Sequence, residues 1–295
     1  MKITVTGSLG NISKPLTEKL IASGHEVTVI SSTQERVTEI EALGAKAAIG
    51  SIEDATFLTG VFTGQDAVYT MVPPNFGAAN IRQFIASVGR VYARAIAASG
   101  VKKVVNLSSI GAHLDGGTGP IAGLYDVENT FADLAEVAVK HLRPGYFYVN
   151  FYGNIGMIKH AGILGSNYGA ETPVVLVHPN DIAAAAAEEL EDSSTGHSVR
   201  YVVSDESTAG EVANVLGAAI GKPGLPWIEF NNEDALNGMQ QAGLPEVMAK
   251  AYVEMGDATR SGILYNHYFQ NKPETYGKFK LNDFAKEFAA AYQAS

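Results

Sequence analysis

Apolar positions along the chain switch repeatedly between two periods. Ile3-Thr4-Val5-Thr6 is a short buried run with β-branched residues, which reads as a strand. Residues 12–23 then carry apolar side chains at helical spacing and stop at Gly24. The cycle repeats with a strand at 25–30, a helix at 34–43 closed by Gly44, a strand at 45–49 and a short helix within 52–62. A strand at 67–72 is broken by Pro73-Pro74, and a long helix at 79–99 ends at Gly100. The same reading predicts a fifth strand at 101–107, a fifth helix at 121–141 and a sixth strand at 146–150. Strands alternating with helices at this spacing imply βαβ units and a parallel sheet. Such a sheet is covered on both faces and takes its ligand outside the carboxyl ends of its strands.

The regularity ends after Asn150, where Gly153, Gly156, Gly162, Gly165 and Gly169 punctuate a loop-rich stretch. Asn180-Asp181 caps an alanine-rich helix at 182–190, and 199–203 reads as another strand. Helices at 208–220, 233–242, 245–255 and 281–292 follow. The expected fold is α/β: a doubly wound parallel sheet of Rossmann type with a smaller, mostly helical C-terminal lobe. Residues 1–150 form the expected core, with 181–205 returning to it. Residues 151–180 and 206–295 form the expected substrate lobe.

Composition narrows the function. Apolar residues make up 46% and charged residues 18%, a globular profile. The net charge of −10 argues against a nucleic-acid partner, since phosphate binding needs a basic face. Without cysteine there is no disulfide, thiolate zinc site or thiol catalysis. The histidines show no metal-ligand spacing, so no metal is expected. No apolar run reaches the roughly 18 residues that span a bilayer, and the start lacks a signal peptide's apolar region. A cytoplasmic protein without a membrane partner is therefore expected. The 31 glycines exceed the usual share, and the first pair follows the first strand.

That pair lies in Thr6-Gly7-Ser8-Leu9-Gly10-Asn11-Ile12-Ser13, between a strand and a helix, the context that makes a dinucleotide turn credible. Gly7 permits a tight turn, Gly10 lets a pyrophosphate approach, and the helix N-terminus offers free N–H groups. Ser13 replaces a third glycine. Gly7, Ser8, Leu9, Gly10, Asn11 and Ile12 are accordingly cofactor candidates. An acid about 20 residues on would favour NAD, but the second strand ends in Ser31-Ser32-Thr33, with Arg36 one turn further. Ser31, Ser32 and Arg36 leave room for a 2′-phosphate, so NADP(H) is preferred and NAD(H) remains open.

Further carriers extend along the chain: Gly50-Ser51-Ile52-Glu53-Asp54, Asp66-Ala67-Val68-Tyr69, Val104-Val105-Asn106-Leu107-Ser108-Ser109, Leu142-Arg143-Pro144-Gly145, residues 208–223 and Lys278-Phe279-Lys280-Leu281-Asn282-Asp283-Phe284-Ala285. With the glycine turn, this ordered set resembles the NmrA-like branch of the atypical short-chain dehydrogenase/reductase superfamily. The resemblance implies that Ser51 and Ile52 lie at the adenine, with Ser51 where Asp is usual. It also implies that Met71, Val72 and Pro73 pass the ribose and pyrophosphate, and that Ser108 and Ser109 lie near the nicotinamide. By the same analogy Asn150, Phe151, Tyr152, Gly153 and Asn154 form a wall of the substrate cleft.

The resemblance leaves catalysis open. Standard superfamily members use Tyr-x-x-x-Lys on the fifth helix, where the lysine holds the ribose and lowers the tyrosine pKa. Here Tyr125 is followed by Asn129, which has no charge to stabilise a phenolate. The lysine that NmrA-like enzymes often carry four positions before the Glu128 equivalent is replaced by Leu124. Tyr125 is either a cleft phenol or an amphipathic residue at a helix start. His113 is either a proton donor at the ligand edge or a loop histidine without a role. Trp227, Phe230, Tyr252, Tyr265, Tyr268, Phe269 and Tyr276 suit a pocket for a flat substrate, or plain packing of the lobe. The first functional reading is an oxidoreductase that transfers hydride from the nicotinamide to a quinone or activated carbonyl. The alternative is a non-catalytic NAD(P) sensor, and a sugar-nucleotide epimerase is weaker because it needs the missing Tyr–Lys pair. A homodimer is an admissible assembly.

Overall fold

The computed structural model describes residues 1–295. Its first half alternates β1 (Lys2–Val5), α1 (Ser13–Ala22), β2 (Glu26–Ser31), α2 (Val37–Ala42), β3 (Lys46–Ile49), α3 (Ala55–Phe62), β4 (Ala67–Thr70), α4 (Ile81–Ser99), β5 (Lys103–Leu107), α5 (Ile121–Ala132) and β6 (Ala138–Pro144). There follow β7 (Tyr146–Phe147), α6 (Ile155–Ala161), β8 (Leu164–Ser166), β9 (Pro173–Val177), α7 (Pro179–Glu191), β10 (His197–Val202) and β11 (Asp205–Thr208). The chain closes with α8 (Ala209–Ala219), β12 (Trp227–Glu229), α9 (Asn232–Gln241), α10 (Glu246–Arg260), α11 (Asn266–Gln270) and α12 (Leu281–Ala294).

Seven strands form one parallel sheet in the order β10-β6-β5-β4-β1-β2-β3. The order reverses between β1 and β4, which opens a crevice at the carboxyl edge of the sheet. Leu16 and Leu20 of α1 and Ile182, Ala186 and Leu190 of α7 cover one face. Leu58, Phe62, Ile85, Val88, Tyr92, Val127 and Phe131, from α3, α4 and α5, cover the other. Helices α4 and α5 approach closely through Gly89 and Gly123: a Cβ at Gly89 would stand 2.6 Å from Val127, and one at Gly123 2.7 Å from Ile85.

Two expected elements are corrected. The helix predicted over 121–141 ends at Ala132, and Ala138–Pro144 is instead the strand between β5 and β10. No Gly or Pro interrupts 124–143, so the helical spacing runs on in the letters. Pairing on both edges and burial of Val139, His141 and Leu142 override it. The strand predicted over 146–150 shrinks to Tyr146–Phe147 in a second sheet, followed by 3-10 turns over Tyr148–Asn154.

The lobe also contains strands that the periodicity did not show. A three-stranded sheet runs β11-β9-β7 and a two-stranded one β12-β8. Tyr148, Phe151, Leu216, Phe284 and Phe288 form the lobe core. Asp181 at the start of α7 ties the tail down. It accepts hydrogen bonds from the Lys278 and Phe279 N–H groups at 3.0 and 3.1 Å and from the Ser204 hydroxyl at 2.6 Å. No helix is long and apolar enough to cross a membrane.

Candidate active site

The turn after β1 is held open by its own contacts. Gly7 has φ +88°, and a Cβ there would stand 2.6 Å from Ser13 Oγ and 2.9 Å from the Met71 side chain. Ser13 thus fills the space of a third glycine and donates to the Thr6 carbonyl at 2.8 Å. Ser8 also has positive φ, 54°, and its N–H donates to the Ile30 carbonyl at 3.0 Å. Gly10 N–H closes on the Gly7 carbonyl at 3.2 Å. The N–H groups of Asn11 and Ile12 donate to nothing in the protein, and α1 has neither a side-chain cap nor an acid in its first turn. Open donors at the positive end of a ten-residue helix fit a pyrophosphate.

The other turns converge on the same edge. Ser31 is buried and accepts from the Ser8 hydroxyl at 3.0 Å, while Ser32 is exposed. Arg36 pairs with Glu39 at 2.6 Å, and Lys14, which the motif reading passed over, approaches the same carboxylate at 3.7 Å. Two cations therefore share one acid beside the glycine turn. Ser51 is exposed and accepts from the Glu53 N–H at 3.1 Å, and Ile52 packs against the core beneath β3 and β4. Met71 is fixed by its N–H to Thr6 Oγ1 at 2.9 Å and by its carbonyl, which accepts from Tyr92 at 2.8 Å. Val72 and Pro73 follow it, half-buried, along the edge.

After β5, the Ser108 hydroxyl donates to Glu128 at 2.5 Å. Glu128 is gripped by Arg143 of β6 through bonds of 3.0 and 2.5 Å; Arg143 is buried and Glu128 mostly so. Burial opposes the charge on Arg143, but Glu128 keeps its pKa above the ordinary value. Arg143 stands beside Tyr201 of β10, its partner in strand register. Burial raises the Tyr201 pKa, with Arg143 pulling against it. The Tyr201 hydroxyl lies 2.6 Å from His267 Nδ1, and the rings of His267 and His113 are 5.0 Å apart. Ser109 donates to the Ile110 carbonyl at 2.9 Å.

The two candidate proton donors fall into different clusters. His113 meets His267, Arg143 and Glu128, whereas Tyr125 lies near Arg82, which makes a bidentate pair with Asp126 at 2.7 and 2.8 Å. Asn129 is exposed and its amide donates to the Tyr125 carbonyl at 3.0 Å, so it is bound to its own helix. Glu128, not Asn129, is the residue that α5 turns toward β5 and β6. In the expected cleft wall, Phe151 is buried in the lobe core and Tyr152 packs against the Phe284 and Phe288 rings. Asn150 is exposed and Asn154 half-exposed. Beside them Tyr146, Tyr168, Tyr252 and Tyr265 gather, each with its phenol pKa raised by burial. Arg143 stood out only within Leu142-Arg143-Pro144-Gly145, and Tyr201 and His267 carried no local signal, because the three meet only through the register of β6 and β10 and the placement of α11.

This fold and turn define a dinucleotide-binding Rossmann protein. Residues 7–141 match a family model described as NAD(P)H-binding. That match takes in the glycine turn and the strands β2 to β5, somewhat less than half of the chain. The chain is 25% identical to an NAD(P)H azoreductase of Xenophilus azovorans, across 99% of this chain and 100% of that one. Its fold matches an NADPH-dependent quinone oxidoreductase of Escherichia coli, solved with NADPH, with a TM-score of 0.82 at 20% identity over 97% of this chain and 99% of that one. A triphenylmethane reductase of Citrobacter sp., solved with NADP(H), gives a TM-score of 0.79 at 20% identity over 97% and 99%.

Proposed function

We propose that the protein is an NADPH-dependent reductase of flat, electron-poor acceptors such as quinones, activated carbonyls or azo compounds. The observation that carries this is the glycine turn, whose Asn11 and Ile12 N–H groups have no partner in the protein and which follows β1 at the same sheet edge as the loop after β5 with Ser108 and His113. Likeness along its whole length to a chain named as an NAD(P)H azoreductase supports the acceptor class. When bound, the cofactor supplies hydride from its nicotinamide. Gly7 to Ile12 hold the pyrophosphate, Ser31 and Arg36 the adenosine end, with Ser51, Ile52, Met71, Val72 and Pro73 along its flank. Ser108 and Ser109 lie at the reacting end, and residues 151–180 and 206–295 cover the acceptor.

The absence of a Tyr–Lys pair fits this choice of acceptor. Asn129 bears no charge and Arg143 is committed to Glu128. A quinone needs little acid help, because its reduced oxygen is a stabilised phenolate. The chain's part is then positioning and exclusion of water. Oxidation of NADPH with a panel of quinones, carbonyls and azo dyes tests the reading, and binding without any turnover would favour a sensor. Arg36→Ala should weaken NADPH binding about tenfold, with NADH affinity unchanged, because only the 2′-phosphate gains from the guanidinium. Equal losses for both cofactors would refute a 2′-phosphate role.

A further inference from the structure

We propose that His113 acts as a neutral hydrogen-bond donor, through Nε2–H, to the negative charge that develops on the acceptor. This deepens the reductase reading and rests on it. His113 sits five residues beyond Ser108 on the loop leaving β5. Its Nδ1 is buried without any partner, whereas Nε2 makes no bond within the protein and reaches solvent. A buried N–H at Nδ1 would be left without an acceptor, a heavier loss than an unused lone pair. The proton of the neutral ring therefore belongs on Nε2, the edge turned outward. A charged ring would place an unpaired N–H at Nδ1, so the geometry also keeps His113 uncharged.

The surrounding groups act in the same direction. His267 of α11 packs its ring 5.0 Å from His113. The positive Arg143 faces the Tyr201 oxygen, which turns the phenol O–H toward His267 Nδ1 at 2.6 Å. Asn271 also donates to that nitrogen at 3.4 Å, so His267 in turn carries its proton on Nε2. Burial first, then His267 and Arg143, lower the pKa of His113, and Glu128 opposes them. Glu128 is itself neutralised by two bonds from Arg143. Tyr201 and His267 are thus positioning residues, and His113 alone would touch the acceptor.

The balance is simple. The acceptor gains two electrons with the hydride, and its anion takes one proton from water on release. His113 neither gains nor loses a proton over the cycle. A donor of this kind contributes by stabilising charge, like an oxyanion hole, and not by proton transfer.

Two readouts test the assignment. Long-range 1H–15N NMR of the protein without cofactor should show His113 as the neutral Nε2–H tautomer at pH 7, and an imidazolium or an Nδ1–H tautomer would overturn it. In quinone reduction, His113→Ala should lower kcat/KM about 10²-fold, with NADPH affinity unchanged. His113→Asn, which keeps an N–H donor, should recover most of that loss, and the wild-type profile should stay flat from about pH 7 to 9. Unchanged kcat/KM in His113→Ala overturns the inference and leaves the reductase reading standing. If the wild type reduces no acceptor, the reductase reading falls and this role of His113 falls with it.

Discussion

At the scale of single residues, the site depends on two positions where no other side chain serves. Gly7 combines a left-handed φ with a Cβ direction blocked by Ser13 and Met71. Gly7→Ala should therefore destabilise the protein by about 1–3 kcal/mol in urea titration and remove detectable NADPH binding. Retained binding would show that the turn does not contact the cofactor closely. Glu128 is the second position, since it satisfies both Ser108 and the buried Arg143. Removing one partner of a buried pair costs about 3–5 kcal/mol, whereas replacing both by apolar residues costs far less. Glu128→Gln should show the large loss and a Glu128→Leu/Arg143→Met double variant a smaller one. The sequence displayed Gly7 and Gly10 plainly, because a turn writes its demands into adjacent letters. It displayed Glu128 only as a family position, since its partners stand 20 and 15 residues away.

At the scale of elements, the alternation of strand and helix was legible through β5 because each helix ends in a glycine or a turn that the letters show. Legibility failed at α5, where no breaker marks Ala132, and the sixth strand is defined by its neighbours instead. The short strands β8, β9, β11 and β12 were hidden for a related reason: β1, β3 and β4 are as short, but a regular alternation with helices frames them, and no such frame surrounds the later four. The tail is an element held by side chains more than by a helix. Asp181, Asp205 and Glu206 accept from Lys278, Phe279, Leu281, Lys272 and Tyr276, and so fasten residues 272–281 to the sheet edge. Asp181→Ala should leave the Lys278 and Phe279 N–H groups unpaired. Hydrogen exchange at 277–281 should then quicken at least tenfold while α4 and α5 keep their protection. Unaltered exchange in the tail would contradict the fastening role.

At the scale of the whole molecule, one buried group couples stability to pH. His141 on β6 accepts from the Asn106 amide at 3.2 Å, whose oxygen in turn accepts from Thr70 at 2.9 Å. Burial pushes its pKa down from 6.5 to about 4, with Glu128 opposing. The unfolded chain binds this proton near pH 6.5 and the folded chain only near 4, so stability is full above 6.5 and is lost as pH falls through that window. The loss should reach about 3 kcal/mol by pH 4, and His141→Gln should flatten that part of the profile in urea titrations. The switch point between β1 and β4 sets the glycine turn and the loop after β5 at one carboxyl edge of the large sheet. On the proposed function, hydride leaves NADPH there for a flat acceptor. The most direct test follows NADPH absorbance on mixing the purified protein with a quinone. One NADPH should be oxidised per quinone reduced, and the rate should be higher with NADPH than with NADH. No oxidation above the protein-free rate, with bound NADPH confirmed, would contradict it.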